Sequence, residues 1–349
     1  MKLDSLIQWF LKQRASLPWR PEDPHAKRDP YAVWISEVML QQTQVETVKK
    51  HYIAWLKDFP SVDDLAQADE ENVLLHWQGL GYYSRARNLH KTAKILIEKY
   101  NGDFPKTRSE IEALPGIGKY TAGAILSMAR HESEPILDGN LIRIFSRLHR
   151  WNFLPISKSE QDIYWNEART WSQGGNAYII NEALMEMGRT LCKPQNPLCP
   201  DCPLQKQCKA ASEHCTSQYP PRKKSIQETW HGVIVIIESA DGKIFSVQEE
   251  DTPFLKGQRG LPLFEFSKAH GKGFPGKAER WITPESIEEY HWCGAIKHAI
   301  TKYKIECQVL YIRSKDKSKK SAHWIARANI KQAFANSLNL KALHKALED

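Results

Sequence analysis

Apolar residues at Leu3, Leu6, Ile7, Phe10 and Leu11 recur with the spacing of a helix face. The same period runs through Ile35, Val38, Met39, Val45, Val48, Tyr52 and Leu56 and predicts a longer helix or a pair of helical turns. Further helices are predicted over Asn88–Lys99, Tyr120–Arg130, Gly139–His149 and Asn176–Arg189, so the first two-thirds of the chain reads as all-α. After residue 208 the pattern changes. Ser217–Lys224 is polar and proline-stiffened, as a linker would be, and His231–Glu238 is a β-branched run followed by the turn Asp241-Gly242 and a second strand-like run, Lys243–Gln248. Glu306–Ile312 and His323–Ala328 read as two more strands, and Asn329–Leu347 as a closing helix. The expected organisation is an all-α domain over residues 1–215, a linker over 216–229 and an α+β domain over 230–349.

The 349 residues suffice for two domains, and 41% hydrophobic with 26% charged residues excludes fibrous, disordered and membrane-embedded classes. The stretch from Met1 to Leu11 has neither a long apolar run nor the composition of a targeting peptide, so the expected location is the cytosol of a bacterium-like cell, without membrane attachment. A net charge of +8 points to a polyanionic partner. Four of the seven cysteines, Cys192, Cys199, Cys202 and Cys208, fall in one short segment of a chain without a secretion signal, which favours a metal site over disulfides.

Leu114-Pro115-Gly116-Ile117-Gly118-Lys119 sits between two helical stretches. Gly116 and Gly118 permit a tight turn whose amides, with the Lys119 ammonium, can face a DNA phosphate. A plain interhelical turn accounts for the glycines but not for the whole string. The cysteines are spaced C-x6-C-x2-C-x5-C, and four thiolates complete either tetrahedral zinc or a [4Fe–4S] cluster. Zinc ribbons bring two C-x2-C knuckles and this loop has one, which favours the cluster.

Two carboxylates adjoin strongly apolar text. Glu37 lies within Val33–Leu40, where burial would raise its pKa, and Asp138 opens the turn before the helix at Gly139. Each also has an ordinary structural reading, a surface glutamate on a helix face and a helix N-cap.

The hairpin string followed by C-x6-C-x2-C-x5-C resembles the endonuclease III superfamily of DNA glycosylases over roughly the first two-thirds of the chain. The strings from Glu37 to Val45 and from Gly79 to Leu89 resemble its MutY branch. The resemblance implies an all-α helix-hairpin-helix DNA glycosylase domain with an iron-sulfur cluster loop at 192–208, followed by an α+β Nudix-like domain. It implies that Glu37 protonates a purine nitrogen, that Asp138 stabilises or captures the sugar cation, and that Tyr120 and Asn140 support them. Arg20 and Glu182 would line the adenine pocket; Gln42, Thr43, Leu80 and Tyr82 would fill the gap left by a flipped base, Leu80 as wedge and Tyr82 by stacking. The implied partner is double-stranded DNA carrying adenine opposite 8-oxoguanine or guanine, met by a monomer that is nucleoid-associated through its DNA binding.

Tyr120 stands where bifunctional endonuclease III enzymes place a Schiff-base lysine, so the expectation is a monofunctional glycosylase. The competing readings are a pyrimidine glycosylase/lyase and a non-catalytic DNA-binding module. The second domain lacks the Nudix box, so it is expected to read the opposing base rather than hydrolyse nucleotides. Its expected reader loop departs from the family's Phe-Ser-His with Ile300-Thr301-Lys302, where Thr301 keeps a hydroxyl.

Overall fold

The computed structural model describes residues 2–221, 227–249, 252–256, 258–266, 274–300, 302–317, 323–334 and 336–347. It divides into two compact units, residues 1–223 and 224–349.

The first unit contains α1 (Lys2–Gln13), α2 (Pro30–Leu40), α3 (Val45–Asp58), α4 (Val62–Gln67), α5 (Glu70–His76), α6 (Ser84–Tyr100), α7 (Arg108–Glu112), α8 (Lys119–Ala124), α9 (Gly139–His149), α10 (Lys158–Ser172), α11 (Ala177–Thr190) and α12 (Lys209–Ser212). Helix α2 starts where Asp29 accepts the Tyr31 amide, with Pro30 at the first position, where its missing N–H costs nothing. It buries residues on every side, Trp34 edge-on against Phe104 at 5.4 Å, which makes it the central helix. The predicted run from Ile35 to Leu56 is two helices, α2 and α3, because the chain breaks at Gln42, whose φ is 55°. The predicted helix Tyr120–Arg130 widens from α8 into a π-helical turn over Ile125–Ala129, where the Asn181 amide donates to Ser127 Oγ at 3.0 Å. Helix α10 was not foreseen; its Ser157–Glu160 capping box was present in the text, but its apolar spacing is interrupted.

Part of the expected linker belongs to the helical unit. Thr216–Gln218 form a short 3-10 turn and Tyr219 is buried, its carbonyl accepting from Arg147 Nε at 3.1 Å.

The second unit holds β1 (Glu228–Glu238), β2 (Lys243–Phe245), β3 (Val247–Gln248), β4 (Arg259–Gly260), β5 (Leu263–Glu265), β6 (Ile287–Ile300), β7 (Tyr303–Ser314), β8 (Trp324–Ala326), α13 (Ile330–Ala333) and α14 (Ser337–Leu347). Its main sheet runs β6-β7-β1-β2-β8, with β5 also paired to β1; β1 and β7 are parallel and the other pairs antiparallel. Strand β1 is buried without alternation from Gly232 onward because both faces are covered, one by a cluster including Phe334, Leu338 and Leu343, the other by one including Ala278 and Ile282. The long β6 is the main departure. Of the expected reader loop Ile300-Thr301-Lys302, Ile300 is the last residue of this strand and pairs with Tyr303. Thr301 lies outside the described residues, and Lys302 is tied to Glu228 at 2.6 Å. No helix among the described residues is long and apolar enough to cross a membrane.

Candidate active site

Five segments converge on a cleft of about 420 Å³ whose lining includes Arg20, Glu37, Gln42, Thr43, Tyr120, Asp138, Asn140 and Glu182. Helix α2 presents Glu37, 6% exposed, to this space. Burial pushes its carboxyl up to about 7, with nearby Glu182 and Asp138 adding to the rise, against the Tyr120 hydrogen bond and the Arg28 charge. The Tyr120 hydroxyl donates to Glu37 Oε2 at 2.7 Å, and burial with the adjacent carboxylates raises the phenol well above its ordinary value.

Asp138 is the N-cap of α9, as its ordinary reading required, and it also faces the cleft. One oxygen accepts the Leu141 amide and the other the Asn140 side-chain amide, both at 2.8 Å. Burial raises this carboxyl too, while those two bonds oppose the rise. Asn140 is fixed from behind: Arg143 donates to its Oδ1 at 2.8 Å, to the Gly188 carbonyl at 2.8 Å and to the Cys192 carbonyl at 2.6 Å. A Cβ on Gly188 would lie 2.5 Å from Asn140 Cβ, so this position of α11 must be glycine for Asn140 to sit where it does.

Helix α11 presents Glu182, Met185, Glu186 and Arg189 to the cleft at three- and four-residue intervals. Arg20 bridges Glu182 (3.2 Å) and Glu186 (3.1 Å), and Arg28 holds the other Glu182 oxygen at 2.5 Å. Sequence reasoning found Arg20 and Glu182 but missed Arg28, Met185, Glu186 and Arg189. The spacing along α11 was the available signal.

The remaining expected residues fall into three groups. Gln42 is exposed, Thr43 is half-buried, and Tyr82, 47% exposed with φ of 49°, stands out from the loop before α6. Leu80 is 5% exposed and packs in the helical core. Away from the cleft, the hairpin between α7 and α8 carries Gly116 at φ 75°, where a Cβ would meet the Asn88 side chain at 2.7 Å. Gly118 is extended with open space, and Lys119 lies 6.0 Å from the Trp165 ring centroid.

The four clustered cysteines are free and partly exposed, and Cys192, Cys202 and Cys208 pack against the helical core. Burial pushes the Cys202 thiol up to about 12, with Cys192, Cys208 and Cys199 adding to it, which puts the four sulfurs within electrostatic reach of one another. Arg147 donates to Cys192 Sγ at 3.2 Å. Among the described residues, no group of three or more His, Cys, Asp or Glu side chains could hold a single metal ion.

Residues 35–165 match the family model of the HhH-GPD superfamily base excision DNA repair protein. The chain is 41% identical over 210 residues to the adenine DNA glycosylase of Mus musculus. Residues 35–165 thus carry the superfamily's signature, and the helical unit is similar to MutY-type adenine DNA glycosylases. The mouse alignment covers 59% of this chain and 41% of the mouse protein, so the chain spans about two-fifths of that relative's length. The adenine DNA glycosylase of Schizosaccharomyces pombe is 28% identical over 410 aligned positions, covering 99% of this chain and 89% of the yeast protein. Among solved structures, a thermostable thymine-DNA glycosylase superposes with a TM-score of 0.54 at 27% identity, over 60% of this chain and 95% of its own. The helical unit thus shares its fold with that glycosylase.

Proposed function

We propose that this chain is a monofunctional adenine DNA glycosylase, which extrudes adenine from double-stranded DNA opposite 8-oxoguanine or guanine and hydrolyses its bond to the sugar. The observation that carries this reading is the pair of carboxyl groups lining one cleft: Glu37, which keeps its proton to about pH 7, and Asp138, half-buried and held by two hydrogen bonds. Glu37 would give its proton to the purine, turning the base into a neutral leaving group. Asp138 would then meet the positive charge on the sugar, directly or through a covalent bond, before water replaces the base. Glu182, with Arg20 and Arg28, offers polar contacts suited to the adenine edge. Lys119 stands over Trp165 rather than among the cleft residues, and no lysine lines the cleft among the described residues.

Gly116, Gly118 and Lys119 would hold a backbone phosphate. Gln42, Thr43 and Tyr82 would fill the helix where the base was. The second unit, taken as Nudix-like, would read the opposing base, with Thr301 as its candidate hydroxyl; the protein would act as a monomer in the bacterial cytosol.

The test is release of free adenine from duplexes carrying adenine opposite 8-oxoguanine, guanine or thymine. The expected result is release opposite the first two, with strand cleavage only after alkali. Release of an oxidised pyrimidine with spontaneous strand cleavage would establish the lyase reading instead. Retention of every base, with binding intact, would establish the non-catalytic one.

The four thiols are the soft donors that a [4Fe–4S] cluster takes, and Cys192, Cys199, Cys202 and Cys208 would hold it. When bound, such a cluster ties the 192–208 loop together and can exchange an electron. Anaerobically purified protein is expected to be brown, with about four irons per chain. Stoichiometric zinc without iron would overturn this assignment.

A further inference from the structure

Arg85, on the first turn of α6, is 9% exposed and does not line the cleft. Its guanidinium nevertheless joins two segments that do not otherwise belong to one element. One terminal nitrogen donates to the carbonyls of Val38 (2.7 Å), Met39 (3.2 Å) and Gln41 (2.7 Å), at the end of α2. The other donates to the carbonyls of Leu80 (2.8 Å) and Gly81 (3.1 Å) and to Thr43 Oγ1 (3.3 Å). The guanidinium carbon also sits 5.1 Å from the Trp77 ring centroid and 5.6 Å from that of Tyr82.

These six partners are neutral oxygens, so the buried charge is balanced by dipoles and the two rings, with no carboxylate among those partners, and burial lowers its pKa. Such an environment is costly for a cation, and each carbonyl has to be held in place to repay it. Val38 and Met39 are in the last turn of α2, whose carbonyls lack helical partners, so Arg85 caps that helix through its side chain. The loop on the other side has Gly79, Gly81 and Tyr82 all at positive φ, and Trp77 Nε1 shares the Gly81 carbonyl with Arg85, donating to it at 2.9 Å.

We propose that Arg85 is the positioning residue that locks the Gln41–Thr43 and Leu80–Tyr82 loops into one preformed unit, so that the surface inserted into DNA exists before DNA is bound. This rests on the glycosylase reading above. A preformed insert avoids ordering two loops during base extrusion, and its benefit is largest where a base pair must be broken.

The decisive variant is Arg85→Lys, which keeps the charge but replaces a planar fork spanning both loops with a single point donor. Single-turnover excision of adenine paired in a duplex should fall by about tenfold or more, while excision of adenine opposite an abasic site should fall less than about threefold. Equal losses on both substrates, or none, would overturn the proposal, because a general structural defect does not distinguish them.

Amide exchange supplies a readout independent of activity. In Arg85→Lys, exchange at Thr43 and Leu80 should accelerate together, with the core of α2 unchanged. If that variant does not fold, Gly81→Ala decides. Gly81 has φ of 70° with open space for a methyl group, so the substitution strains only its own loop. The proposal requires faster exchange at Thr43 in the other loop, and unchanged exchange there overturns it. Failure of the unsubstituted chain to release adenine would overturn the function proposed above and leave the exchange measurements to judge the coupling.

Discussion

Glu37→Gln lowers single-turnover base excision by about a hundredfold to ten-thousandfold while duplex binding is retained, the range expected for losing a positioned general acid. The amide has the shape of the acid and can still accept from Tyr120 through its oxygen, but it has no acidic proton to deliver. In the unsubstituted protein, excision at saturating DNA should be flat below about pH 7 and decline above it, as Glu37 loses its proton. The same group leaves a signature in stability. Its folded pKa lies above the ordinary 4.5, so the folded state holds the proton more tightly than the unfolded one. That contribution is fully present below pH 4.5 and is lost as pH rises through about 7. Over that window Glu37→Gln should gain about 3 kcal/mol on the parent, melting higher at pH 8 and losing the advantage near pH 4. Excision by Glu37→Gln at the parent rate would remove the acid assignment, and parallel pH-stability curves would remove the burial account.

Asp138→Asn is the second variant with a large expected effect. Asparagine is as good an N-cap as aspartate, and its oxygen can still accept the Leu141 amide, so α9 should start in the same place. Removed is the negative charge available to a cationic sugar, worth roughly a hundredfold to a thousandfold in rate for a preorganised electrostatic contact. Both carboxyl groups would serve one transition state, so the double variant should fall well short of the product of the single losses. Single-turnover rates for the three variants and the parent close that cycle. A double loss equal to the product would mean that the two groups act independently.

The readability of this chain differed between its halves for physical reasons. The helices α9 and α11 could be placed within a residue because their apolar stripes are regular and Asp138 marks one start. Glu37 and Asp138 stood out as charges in apolar text, and such charges are buried only where a fold has a use for them. Arg28 was illegible because its ion pair joins separate segments and nothing local to it announces Glu182, whereas Glu186 and Arg189 share the α11 face of Glu182 and could have been read from their spacing. In the second unit, β6 was missed because its burial does not alternate, as an edge strand carrying Glu288, Glu289 and Tyr290 on its outer half would not.

The parallel pairing of β1 with β7 sets the order in which the molecule can be made. Glu228 faces Tyr303 and Glu238 faces Arg313, so the central strand of the second unit has no parallel neighbour until most of that unit has been synthesised. The helical unit precedes it, and α1 and α11, which pack together across that unit, are both complete before β1 is made. During translation the first unit can therefore collapse while β1, a strongly apolar strand with open edges, waits for its partner. Of the two halves, the sheet is the one exposed to mispairing and aggregation on the ribosome, although the cleft and its buried charges belong to the other.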